Sequence, residues 1–396
     1  MYLSNSWTFS SLLFHLRQSN MLAITGGLNN KLFTVHNGVV MTKAEAAAAV
    51  AAEARAKAAA AGGAAGAAAG YPALDTDKSI EERVALIASV GEEVVGLEDL
   101  AALLAKKPSP VAYDGFEPSG RMHIAQGLMK AANVNKLTSA GCVFKFWVAD
   151  WFAMLNNKLG GDLKKIRTVG QYMIEVWKAC GMDMSRVEFL WASDEINGNS
   201  DAYWGRVMDI ATRVTLARVK RCGAIMGRKD GDELSPAQIM YPMMQATDIF
   251  HLKADICQLG MDQRKVNMLA REYCDMCKPK IKHKPIIVSH HMLMGLKEGQ
   301  EKMSKSDPDS AIFMEDTAAD VKRKIKRAYC PPGVAEKNPV LDWVKHIVLA
   351  REGKFTVKRK PDNGGDMYVM SAAREVLALG SPCALLMSAA LRRCCP

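Results

Sequence analysis

The chain has 396 residues, 49% hydrophobic and 24% charged, which suits a soluble globular protein large enough for two domains and excludes a disordered one. No stretch approaches 18 apolar residues uninterrupted by Gly, Ser or charge, so a transmembrane helix is not expected, nor any membrane partner. The net charge of +10 favours an anionic partner, and the ten cysteines follow no repeated framework, which points to free thiols in a reducing compartment.

Residues 1–44 contain no Asp or Glu and resemble an organellar transit segment, with a true start at Met41 as the rival reading. Residues 44–70 are rich in alanine and glycine and have almost nothing to bury, so 1–70 is expected to stay outside the fold. Order is expected from Asp77. Ser79 and Glu82 have capping-box spacing, and Ile80, Val84 and Ile87 share a helical face. A helix at 97–106 completes an N-terminal helical segment over 71–108.

From there the pattern alternates: strand 111–113, helix 122–139, strand 142–149, helix 161–180, strand 187–191 and helical stretches to about 254. A strand at 254–257, a helix at 263–274 and a strand at 285–288 follow. Strands separated by crossover helices imply an α/β fold, a Rossmann-like parallel-sheet catalytic domain over 109–308. Residues 309–396 make up the remainder of the chain. Its cluster Lys322, Arg323, Lys324, Lys326 and Arg327 reads equally as RNA contact or as the solvated face of a helix.

Chemistry enters with two motifs. Lys302-Met303-Ser304-Lys305-Ser306 is a small-residue loop with two lysines, and His123-Ile124-Ala125-Gln126-Gly127 lies at a helix start. Cations on both sides of a triphosphate would stabilise charge moving onto a pyrophosphate leaving group. Tyr241, Gln245 and Asp248 are spaced i, i+4 and i+7, so one helix face carries three polar groups among Ile239, Met240, Met243, Met244, Ile249 and Phe250. Such a face lines a pocket better than it meets water. The alternative for Tyr113 alone is a core tyrosine at a strand end.

Together with Tyr113-Asp114-Gly115-Phe116-Glu117-Pro118-Ser119-Gly120 and Gly260-Met261-Asp262-Gln263-Arg264-Lys265, these motifs in this order resemble the tyrosyl-tRNA synthetases of the archaeal/eukaryotic type, most of all the plant and green-algal cytosolic ones. The resemblance runs from about residue 80 to about residue 368. It implies a tyrosine–tRNA ligase with L-tyrosine, ATP with Mg²⁺, and tRNA(Tyr) as partners, acting as a cytoplasmic homodimer. A chloroplast or mitochondrial location is the alternative if residues 1–40 are a genuine transit peptide.

By the same resemblance Asp248 and Tyr113 pair the substrate's phenolic hydroxyl, while Tyr241, Gln245 and Gln263, with Glu117, hold its ammonium and carboxylate end. Gly115, Gly127 and Gly260 admit the nucleotide, and Asp262 accepts from its ribose. His123, Gln126, Lys302 and Lys305 carry the catalysis, with Met303 and Ser304 beside the ATP.

Departures from the family pattern are Ala125 and Gln126, where Gly and His are usual, and Leu259, where Gly is frequent. The resemblance makes 309–396 a small, partial helical anticodon-binding domain with an atypical tail, truncated because the family's final helices are missing after about residue 368. Cys274-Asp275-Met276-Cys277, followed by His283, His290 and His291, has zinc-like spacing, but no second cysteine pair completes it. The expectation is therefore no metal in the protein itself. Rival functions are a tryptophanyl enzyme of the same fold, disfavoured by Tyr113 and Asp248, and a non-catalytic RNA-binding relative, disfavoured by intact His123 and KMSKS lysines.

Overall fold

The computed structural model describes residues 33–36, 39–42, 77–226, 233–303, 307–331, 334–357 and 367–370. Contacts divide the chain into two compact units, Met1–Ala73 and Leu74–Pro396. In the first unit, strands β1 (Phe33–His36) and β2 (Val39–Thr42) pair antiparallel. The expected low-complexity arm, and the tail after residue 370, lie outside the described residues.

The second unit is built on a six-stranded sheet of order β3-β8-β7-β4-β5-β6. Its strands are β3 (Glu93–Val95), β4 (Val111–Phe116), β5 (Val143–Val148), β6 (Val187–Trp191), β7 (Ile256–Gly260) and β8 (Ile286–His290). All neighbours are parallel except β3, which runs antiparallel to β8. The short edge strand β3 was not expected, because three residues are too few for an alternating pattern to declare itself. Every residue of β7 and β8 is buried, as befits parallel strands covered on both faces. The chain lays down β4, β5 and β6 in one direction and then returns to add β7 and β8 on the other side of β4. The crevice beyond the carboxyl ends of β4 and β7 is thus the topological switch point, where such sheets bind ligands.

Helices α1 (Ile80–Ala88), α2 (Leu97–Lys106), α3 (Lys130–Ser139), α4 (Leu163–Ala179), α5 (Ser200–Arg213), α6 (Pro236–His251) and α7 (Arg264–Met276) flank the strands. The expected capping box of α1 is present between Ser79 and Glu82. Buried Arg83 then ties α1 to the sheet layer, donating to the carbonyls of Ala140 and Pro108. Trp177 of α4 stacks on Phe146 of β5 at 4.8 Å, and Phe146 stacks on Phe189 of β6 at 5.0 Å. This aromatic layer fixes α4 against one face of the sheet.

The helix expected from 122 starts later. His123 forms a β-bridge to Phe313, and Ala125–Met129 make a wider π-helical turn before α3. The indole of Trp177 donates to the Gln126 carbonyl at 2.6 Å and holds this turn. Such turns recur at functional sites. The pairing continues on both sides, with Ile124 N donating to Ile312 O and Met314 N to Met122 O. The segment that follows KMSKS is therefore hydrogen-bonded directly to the histidine motif.

Helix α8 (Ala318–Arg327) has the capping box of Thr317 and Asp320. It corrects the reading of its basic cluster. Lys324 is buried and donates to the Ala311 carbonyl and to Asp316, while Arg323 pairs with Asp309 at 2.7 Å. Lys324 is a structural lysine and is withdrawn as an RNA contact. The helical segment continues through Pro339–Trp343 and the π-helical turn Val344–Leu349 to a hairpin of β9 (Lys354–Val357) and β10 (Met367–Met370).

Between α5 and α7, Asp209 accepts hydrogen bonds from Arg213 and from the Tyr273 hydroxyl. The Arg213 bonds, then that of Tyr273, lower its carboxyl to about 2. Between that value and the unfolded value of about 3.9 the unfolded chain binds the proton more readily, so this contribution is present above pH 4 and fades as pH falls. Asp209 is 36% exposed, so screening limits the effect to less than about 1 kcal/mol. Asp209→Asn is expected to lower the urea midpoint at pH 5, with the difference from wild type narrowing as pH drops from 4.5 to 3.

Candidate active site

A cavity of about 310 Å³ opens at the switch point, walled by the ends of β4, β5, β7 and β8, the π-helical turn, α6 and the approach to KMSKS. Its lining includes Tyr113, Gly115, Glu117, His123, Gln126, Tyr241, Gln245, Asp248, Gly260, Asp262, Gln263, Lys302 and Met303. Gly127 is not among the lining residues. A β-carbon there would meet Met314 Sδ at 2.6 Å, so its missing side chain serves packing of the histidine motif against residues 312–314. Ser304 and Lys305 lie outside the described residues.

The inner end is polar and its side chains are buried. Helix α6 is set by a capping box of Ser235 and Gln238 with Pro236 at its first turn, and it turns Tyr241, Gln245 and Asp248 inward. Asp248 is 1% exposed. Its Oδ1 accepts from the Tyr203 hydroxyl at 2.6 Å, whereas its buried Oδ2 has no hydrogen-bond partner. Burial pushes the Asp248 carboxyl well above the usual range, with the Tyr203 hydrogen bond opposing that shift. Burial likewise raises Tyr113 and Tyr203 well above the usual tyrosine value, so both hydroxyls keep their protons. A β-carbon at Gly115 would come within 3.3 Å of the Tyr113 hydroxyl, so that glycine leaves room for the tyrosine ring at the cavity wall. Asp248 Oδ2, at the cavity lining with no protein partner, is placed to pair with a hydroxyl brought by a ligand.

Around the middle of the cavity, Tyr241 donates to Glu117 at 2.6 Å, and Asn156 Nδ2 reaches both Glu117 oxygens at 3.1 and 3.2 Å. Lys158 lies 3.8 Å from the same carboxylate. Gln245 Nε2 donates to Gln263 Oε1 at 2.9 Å. At the outer end, Lys302 donates to Asp262 at 3.1 Å, and a β-carbon at Gly260 would press on Asp262 and Met292. The N–H of Gln126 approaches His123 Nδ1 at 3.4 Å.

The roles of several residues at or behind the cavity wall were not legible in the sequence. Lys130, the first residue of α3, forms a buried ion pair with Asp114 at the end of β4. It lies one helical turn beyond Gln126, which was the available signal. His290 is held near Gln258 at 2.6 Å, and burial drives its pKa down to about 3, so it stands neutral. Tyr203 comes from α5, a helix with no motif.

The matching family model is described as "tRNA synthetases class I (W and Y)" and covers residues 105–358. The cytoplasmic tyrosine–tRNA ligase 1 of Arabidopsis thaliana is 63% identical over 289 residues, 73% of this chain and 74% of that protein. The solved tyrosyl-tRNA synthetase of Leishmania major in complex with tyrosinol is 52% identical, with a TM-score of 0.71 over 80% of this chain. This chain spans only 50% of that longer protein. The enzyme of Pyrococcus horikoshii complexed with L-tyrosine is 35% identical, with a TM-score of 0.70, covering 80% of this chain and 95% of that one. With the class I sheet, the cavity at its switch point and these likenesses in agreement, the chain belongs to the tyrosyl-tRNA synthetases, the class I tyrosine–tRNA ligases.

Proposed function

We propose that the cavity activates L-tyrosine with ATP to tyrosyl-adenylate, and that the protein then transfers the tyrosyl group to the 3′ end of tRNA(Tyr). The observation that carries this reading is the unpartnered, buried Asp248 Oδ2 at the inner end of a cavity whose outer end holds His123 and Lys302. The phenolic hydroxyl meets Asp248 and Tyr113, and the amino-acid head lies among Tyr241, Gln245, Gln263 and Glu117. Its carboxylate then faces the α-phosphate of ATP. The carboxylate oxygen bonds to that phosphorus in line as the bond to the pyrophosphate oxygen breaks. No covalent enzyme intermediate is needed, and rate comes from positioning and charge stabilisation.

Lys302 leaves Asp262 for the phosphates. An exposed pair of this kind is worth at most about 1 kcal/mol, so the exchange is easy. Asp262 is then free to accept from the ribose, with Gly260 giving the nucleotide access. Mg²⁺ supplies charge neutralisation on the leaving pyrophosphate when bound. With Asp262 given to the ribose, the ion would be held mainly by phosphate oxygens and water. Gln126 in place of the usual histidine keeps hydrogen-bonding capacity without charge, and Lys305 completes the phosphate contacts.

Tyrosine-dependent exchange of pyrophosphate into ATP tests this, with phenylalanine and tryptophan as controls. Exchange with tyrosine alone supports the reading. No exchange from folded protein rejects it in favour of an RNA-binding role. A homodimer in the cytoplasm is the accompanying proposal. It rests on likeness to the family, and light scattering of the purified chain tests it. Among the described residues no helix is long and apolar enough to cross a membrane.

A further inference from the structure

The histidine that follows β8 points away from the cysteines with which its spacing first associated it. Cys274 and Cys277 spend their S–H groups on the carbonyls of Ala270 and Cys274. His291 instead meets the helical segment beyond KMSKS. Its Nε2 lies 2.8 Å from Asp342 Oδ1, and His346 Nε2 lies 3.7 Å from the same oxygen. Donor atoms of His291, Asp342 and His346 all fall within 4.8 Å of one another. On its other side, His291 Nδ1 is 3.1 Å from Glu92 Oε2. The second oxygen of Asp342 accepts from Met294 N at 3.1 Å, which fixes the carboxylate's orientation.

We propose that His291, Asp342 and His346 form a binding site for one divalent transition-metal ion of the zinc class. Two imidazoles and one carboxylate are the nitrogen and oxygen donors such ions take, with solvent completing the shell. Glu92 stands where a carboxylate orients a ligating histidine: a proton kept on His291 Nδ1 for Glu92 leaves Nε2 free for the metal. The two carboxylates, Asp342 and Glu92, also match a dication in charge. Asp342 and His346 stand i, i+4 at the start of a π-helical turn, so both side chains project from one face.

In the metal-free arrangement the two imidazole rings stack at 4.0 Å with a 14° tilt. Ligation requires them to splay, replacing the His291–Asp342 hydrogen bond by two bonds to the ion. The site joins residues 291–294, on the way from β8 to Lys302, to the helical segment at 339–349. An ion there would brace the approach to the KMSKS loop, with His291 itself at the cavity lining.

The test is a Co²⁺ titration of the full chain after chelation, read by its visible absorption and competed with Zn²⁺. One equivalent with a nitrogen/oxygen spectrum is expected. His346→Asn should weaken binding at least 100-fold, and Glu92→Gln, which removes only the orienting charge, about 10- to 100-fold. Zn²⁺ should raise the melting temperature of wild type and leave that of His346→Asn unchanged. The ten cysteines are the competing ligands, and thiolate-to-cobalt charge transfer would reveal them. A thiolate spectrum, absence of binding, or equal affinity in wild type and both variants overturns the proposal. Glu92→Gln keeps the test decisive should His346→Asn fail to fold.

Discussion

Asp248→Ala is expected to abolish discrimination between tyrosine and phenylalanine, measured as the ratio of kcat/KM in pyrophosphate exchange. In the intact cavity one carboxylate oxygen is committed to Tyr203 and the other is buried with no partner. A phenol satisfies it whichever protonation state the raised pKa favours: an ionised carboxylate accepts the hydroxyl proton, and a neutral carboxyl donates to the hydroxyl oxygen. Phenylalanine does neither and leaves the group buried and unpaired. Sites of this kind reject the analogue lacking the hydroxyl by large factors, and tyrosyl-tRNA synthetase is itself the known case at about 10⁵-fold, a magnitude belonging to the enzyme class and not deduced from this cavity. With alanine the unpaired acceptor is gone, so the ratio should approach unity, mainly through loss of tyrosine activation. Tyr203→Phe separates orientation from presence of the carboxylate. It removes one hydrogen bond to a carboxyl and should cost about 1.5–3 kcal/mol in tyrosine kcat/KM, roughly 10- to 150-fold, while preserving a preference for tyrosine. A D248A enzyme that still prefers tyrosine by orders of magnitude would move the recognition of the phenol to Tyr113 alone.

The parts of this site readable in the sequence were those that one local pattern carries. Tyr241, Gln245 and Asp248 stand out because helical spacing sets three polar residues on one face, and that face does turn to the cavity. Strand 187–191 and helix 97–106 were legible to the residue, because composition and turn residues bound them on both sides. What a local pattern cannot carry is a partner on another element. Tyr203 reaches Asp248 across 45 residues, and Trp177 reaches the Gln126 carbonyl across 51. The π-helical turn that delays the helix after His123 is maintained by that indole and by pairing with 312–314, neither visible from residues 122–139. Charge misled in the same way. Lys324 looks like its neighbours in sequence, but Asp316 and the Ala311 carbonyl draw it inside. The strand expected at 254–257 runs instead over 256–260, because its register follows its parallel neighbours β4 and β8.

Lys130→Met should produce the largest loss of stability of any single change at the cavity wall, and the loss should depend on pH in a way that names its cause. Asp114 is 1% exposed, and the Lys130 side chain only 11%. Burial already raises the Asp114 carboxyl above its ordinary value, with the charge and hydrogen bond of Lys130 pulling against that shift. Methionine keeps the length of the side chain and removes that pull. Leaving one member of a buried pair uncompensated destabilises by about 3–5 kcal/mol. In the variant the folded-state pKa of Asp114 rises further above its unfolded value. The folded protein then holds the proton more tightly than the unfolded chain, so relative stability is highest at low pH and is lost as pH rises through the folded pKa. The deficit against wild type, followed by urea unfolding, should therefore deepen from pH 5 to pH 8. Asp114→Asn in the same chain removes the stranded charge. The double variant should recover most of the loss and show no such pH dependence. A uniform deficit across that range would mean that the methionine fails on packing, not on charge. Recovery of stability without recovery of pyrophosphate exchange would place the Lys130–Asp114 pair in the reaction as well as in the fold.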